Sequence, residues 1–86
     1  MANIASQEKR IRRAERERVE NRQYTSSVKT HFRRLQAAVE AGNPDEADAT
    51  MRELSSRIDR AVRSGAMHRN TGARKKSRAM RLRSSL

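Results

Sequence analysis

Apolar residues recur along this chain at the intervals of one helix face, not in the alternation of a strand. Val28, Phe32, Leu35 and Val39 step by 4, 3 and 4, and Ala47, Met51, Leu54, Ile58 and Ala61 step by 4, 3, 4 and 3. These spacings bring side chains to one side of a helix. Between the two stripes stands the strongest breaker of the first two-thirds, Gly42-Asn43-Pro44. Gly42 can take the left-handed position that ends a helix, Asn43 can cap the next one, and Pro44 fits its first turn. Asp45 and Glu46 add dipole and capping-box support to that start. The pattern predicts two antiparallel helices joined by a tight turn.

The first helix can run back from the turn, without Gly or Pro, and is expected over about 5–41. At about 1.5 Å per residue it would be about 55 Å long, more than a chain of this size can bury along its length. Its N-terminal half must therefore protrude. The second helix is expected over about 44–63, ending before Ser64-Gly65. A third, over about 67–83, has only Ala73, Met80 and Leu82 as its sparse apolar content, and its basic side chains project almost all round. The expected fold class is all-α: one domain, residues 1–86, built as a three-helix bundle with a long, protruding N-terminal helix. A second core could not bury enough apolar surface to offset its ordering.

Composition narrows the core. With no Trp and with Tyr24 and Phe32 as the only aromatics, the core must be aliphatic and thin, and Met51, Met67 and Met80 read as filler. The absence of Cys excludes disulfides, a thiol nucleophile and a zinc knuckle. No apolar run approaches the roughly 20 residues that span a bilayer, and the N-terminus lacks the apolar stretch of a signal peptide. A cytoplasmic location is expected, with neither secretion nor membrane insertion.

Charge adds the partner. Lys and Arg number 21 against 10 acids, for a formal net charge of +11 and a pI near 11.6, far beyond what solubility requires, so the natural partner is a polyanion. Seventeen of the 21 are Arg, whose guanidinium forks grip phosphate bidentately and stack on bases, which tilts the polyanion toward nucleic acid. The charge is also blocked along the chain. Residues 1–34 carry ten basic and four acidic side chains, 35–62 three and six, and 63–86 eight and none. A simple disordered basic tail would lack the acidic middle.

Three basic sets are candidates for phosphate contact. Arg18, Arg22, Lys29 and Arg33 fall within about 60° of one another on a helical projection, roughly 100° round from the apolar stripe of the same helix. Lys9, Arg10, Arg12, Arg13 and Arg16 lie on the protruding arm, where only Ile11 and Ala14 are apolar. Glu8 and Arg12 can pair there at i,i+4, and Glu15, Glu17 and Glu20 dilute the field, so the arm is expected to fray when free and to order on a partner. Arg74-Lys75-Lys76-Ser77-Arg78 is the densest positive run. His31 and His68 are too far apart for a local metal motif and read as structural, and Tyr24 reads as packing more than as a stacking platform. No Ser or Thr has a base and orienter nearby, and no Gly-rich phosphate loop occurs. No catalysis, cofactor, metal or small-molecule substrate is expected.

The chain resembles the bacterial small-subunit ribosomal protein S-twenty family from end to end. The resemblance is carried by Met1-Ala2-Asn3-Ile4 followed by Lys9-Arg10, by Ser27-Val28-Lys29-Thr30, by Ala41-Gly42 before the turn, and most specifically by His68-Arg69-Asn70-Thr71 through Ala73-Arg74-Lys75-Lys76-Ser77-Arg78. It implies a three-helix bundle that binds small-subunit (16S) ribosomal RNA directly, at its 5′ domain and the long stem near its 3′ end, early in subunit assembly, with other small-subunit components nearby. It also implies RNA-facing roles for Asn3, Lys9, Arg10, Lys29, Arg69, Asn70, Arg74, Lys75, Lys76, Ser77 and Arg78. The sequence departs from the family pattern at Ala5, where lysine is expected, at Glu20 within a usually basic run, and at Gly72, where alanine is usual. Gly72 should cost the third helix up to about 1 kcal/mol against alanine.

Composition by itself also permits a general, nucleoid-type nucleic-acid binder. A basic amphipathic helix lying on anionic membranes is disfavoured, because the chain lacks the Trp, Phe and Leu that insertion needs.

Overall fold

A computed structural model describes the backbone of residues 3–86 and the side chains of residues 4–86. The described residues form three helices, α1 (Asn3–Glu40), α2 (Pro44–Arg63) and α3 (Arg69–Ser84). The first turn has the predicted construction. Gly42 takes φ +68°, its N–H donates to the Val39 carbonyl at 3.0 Å, and the Asn43 N–H donates to the Ala38 carbonyl at 3.1 Å, which satisfies the carbonyls that end α1. The Asn43 side chain accepts from the Glu46 N–H at 3.2 Å and donates back to the Glu46 carboxylate at 3.3 Å. That reciprocal cap starts α2, with Pro44 in its first turn.

The core lies where the C-terminal half of α1 packs on α2. Val28, Leu35 and Ala38 of α1 meet Ala47, Leu54, Ile58 and Ala61 of α2, and Met67 and Ala79 close one side. The buried line on α1 is 28, 31, 35 and 38, with His31 inside it. Its centre lies about 50° round from the centre of the Val28, Phe32, Leu35 and Val39 stripe, and Phe32 and Val39 are left at its edge, half-buried. His31 tolerates that place because its Nδ1 bonds the Ser27 carbonyl at 2.7 Å within its own helix.

α3 begins two residues later than expected. Met67 turns into the core and His68 serves as the N-cap, its Nδ1 accepting from the Asn70 N–H at 3.1 Å. The helix docks through two small residues seven apart, Gly72 and Ala79. Of the methionines read as core filler, Met67 is buried and Met51 half-buried, but Met80 is 61% exposed. It sits about 90° round α3 from the docking face of Gly72 and Ala79.

All of residues 4–20 are exposed, so the arm protrudes as expected. The molecule measures 63 × 21 × 13 Å with a radius of gyration of 17.2 Å, against about 12 Å for a compact chain of this length.

Candidate nucleic-acid interface

On α1 the order of residues around the helix is buried line, Phe32, then Lys29 and Arg33, so the half-buried ring separates the core from the basic stripe. Because α3 has only a hydrogen at Gly72 and a methyl at Ala79 on its inner face, it approaches the bundle closely and brings Lys75 and Arg78 beside that stripe. Lys29, Arg33, Lys75 and Arg78 thus ring one notch of about 190 Å³ between α1 and α3, with Val28 and Phe32 as its apolar wall. The Arg78 guanidinium carbon stands 5.1 Å from the centre of the Phe32 ring, within cation–π range. Among the described residues no acid lines this notch.

Two other basic side chains of α3 are used differently. Lys76 pairs with Asp59 of α2, and Arg83 Nε donates to Asp48 Oδ1 at 2.6 Å. The hydrogen bond from Arg83 holds the Asp48 carboxyl below the usual carboxylate range, against a smaller opposing effect of desolvation, and Asp48 in turn raises Arg83 further. Lys75 and Lys76, adjacent in sequence, lie about 100° apart round the helix, one facing α1 and the other tethered to α2. The acidic block of the middle helix thus neutralises part of α3.

The family model described as "Ribosomal protein S20" matches residues 2–83. The chain belongs to this family. Among its relatives, the small ribosomal subunit protein bS20 of Kocuria rhizophila is 51% identical over 77 residues, covering 90% of each chain. That of Acaryochloris marina is 49% identical over 95% of each. That of Frankia casuarinae is 43% identical over the whole of this chain and 97% of its own length.

The remaining positions singled out for this S20 family member are distributed over the surface. Lys9, Arg10, Arg12, Arg13, Arg16, Arg18 and Arg22 are exposed along the arm and its base. Arg13 Nε pairs with Glu17 at 3.2 Å with both side chains mostly in solvent, further along than the Glu8–Arg12 spacing suggested. Arg69 lies with Lys76 and Arg63 over Val62 and Gly72, on the α2 side of α3. Asn70, Arg74 and Ser77 are exposed. The side chain of Asn3 lies outside the described residues. Among the described residues no three His, Cys, Asp or Glu side chains gather as a metal site, and no helix is long and apolar enough to cross a membrane.

The chain pattern assigned Phe32 to the core stripe and missed its place at the notch. The available signal was His31, which lies between Val28 and Leu35 on the same face. Counted as a core member, it rotates the stripe and puts Phe32 on the edge next to Lys29 and Arg33. Tyr24 packs against the core as expected and also borders an open hollow with Arg60, Arg63 and Ser64.

Proposed function

We propose that this protein is a structural constituent of the bacterial small ribosomal subunit, working in the cytoplasmic ribosome, that binds 16S ribosomal RNA directly and assists early assembly. Family membership and relatives named for the small subunit support the setting. The observation that carries the RNA reading is the convergence of Lys29, Arg33, Lys75 and Arg78, from helices far apart in sequence, on one acid-free surface. An ordinary solubilising charge run has no need of that arrangement.

The mechanism is positional, with no chemical step. The bundle presents one basic surface at the α1–α3 junction and a second along the arm, on a body 63 Å long. With the arm ordered on its partner, a body with two such surfaces neutralises phosphates of more than one RNA helix at once and fixes the angle between them, in keeping with contacts to the 5′ domain and the long stem near the 3′ end. Recognition rests mainly on backbone and shape. Backbone footprinting of naked 16S RNA with the added protein tests this. Protection confined to those two regions is the expected result, and protection scattered over the whole transcript would contradict it.

A further inference from the structure

We propose that the notch between α1 and α3 receives one unstacked nucleotide of the bound RNA, its base against the Phe32–Arg78 pair and its phosphates among Lys29, Arg33 and Lys75. The proposal rests on the RNA-binding reading and specifies one contact within it.

A site built for phosphate alone is lined by donors. Here one wall is apolar, made by Val28 and a half-buried aromatic ring that the core does not close over, while the remaining lining is cationic. That combination matches a nucleotide, which joins a flat, largely apolar base to an anion. Bases displaced from loops and bulges stack on aromatic rings and on guanidinium planes. Here the Arg78 guanidinium lies over the Phe32 ring, 5.1 Å from its centre, so that a base stacks on the outer side of this pair and not between its members. Among the described residues, the ion pairs of α3 engage Lys76 and Arg83 with acids of α2, and neither Lys75 nor Arg78 takes part in them. The cations of α3 that face the notch are therefore among those left for a ligand. Charge complementarity commits the occupant to an anion, because among the described residues no acid lines the notch to attract a cationic partner, and the apolar wall together with the RNA-binding reading makes that anion a nucleotide of RNA.

The test uses the full-length protein and a transcript of the small-subunit RNA, with complex formation measured first. Absence of any complex would overturn the RNA reading and this proposal together, whereas a complex that forms isolates the notch. Ultraviolet cross-linking of that complex, read by mass spectrometry, is expected to attach a nucleotide to the peptide containing Phe32 or Arg78. Phe32→Leu keeps an aliphatic wall for the fold and removes the ring, and Arg78→Lys keeps the charge and removes the plane. Each should weaken binding about tenfold while leaving the slope of affinity against salt unchanged, because no phosphate contact is lost. Phe32→Tyr should bind within about twofold of the parent. Should Phe32→Leu lose its helical melting transition, Arg78→Lys carries the same comparison. Cross-links confined to the arm, with both replacements binding as tightly as the parent, would overturn the proposal.

Discussion

Gly72 lies so close beneath Val62 that a Cβ at position 72 would stand 2.7 Å from Val62 Cγ2 and 3.3 Å from Ile58 Cγ2. Valine is β-branched and stiff at χ1, so it cannot swing aside as a long side chain would. The glycine that weakens α3 as an isolated helix is also what lets α3 reach the bundle. Gly72→Ala should therefore lose the roughly 1 kcal/mol that helix propensity offers to overpacking, which costs about 1–3 kcal/mol, and lower stability overall. In a Val62→Ala background the same replacement should become stabilising. Urea unfolding of the four proteins in this cycle measures the change of sign.

The protruding arm and the thin core imply unequal sensitivity to truncation. Leu54 is fully buried, whereas Val19 on the arm is 55% exposed. Leu54→Ala should cost about 2–5 kcal/mol, a large part of the stability of so small a domain, and Val19→Ala should stay within about 0.5 kcal/mol. Thermal melts followed by circular dichroism give both values.

The two long helices were legible because their signals are local and redundant. The 4-3-4 stripes, Gly42 in a left-handed turn and the Asn43 cap each point to the same boundary. α3 was legible as a helix but not in its docking, because its buried face is Gly72 and Ala79, which carry almost no hydrophobic signal. Its start moved to Arg69 because Met67 found a place in the core, a tertiary effect that no local pattern encodes. The basic residues were legible as a set. Their division was not: Lys75 and Lys76 read as one run, and it is the docking of α3, with α1 beside Lys75 and Asp59 of α2 against Lys76, that separates them.

That division gives an asymmetry between adjacent lysines. Lys75→Ala should lower the steepness of RNA affinity against salt by about 1 in the log–log slope, as loss of one phosphate contact does. Lys76→Ala should change the slope much less, because Asp59 already neutralises that charge. Filter binding across a salt series distinguishes the two.

The Asp48–Arg83 pair should appear in the pH dependence of folding. Its carboxyl is held below the ordinary value of 3.8 in the folded protein, so the unfolded chain takes up this proton first as pH falls. The pair's contribution is fully present above the unfolded value and is lost as pH drops through the folded one. The stability difference between the parent and Asp48→Asn should accordingly be constant near neutrality and shrink in strong acid, as read by melts at a series of pH values. The pair is solvent-exposed, so the difference is expected to be small.

The most direct measurement is the affinity for a transcript of the 16S 5′ domain against a duplex DNA of equal length, across a salt series. With about eight phosphate contacts, tight RNA-selective binding with a log–log slope of about −6 to −7 is expected. Equal affinity for both nucleic acids at matched salt would contradict a ribosomal-RNA scaffold and leave a general polyanion binder.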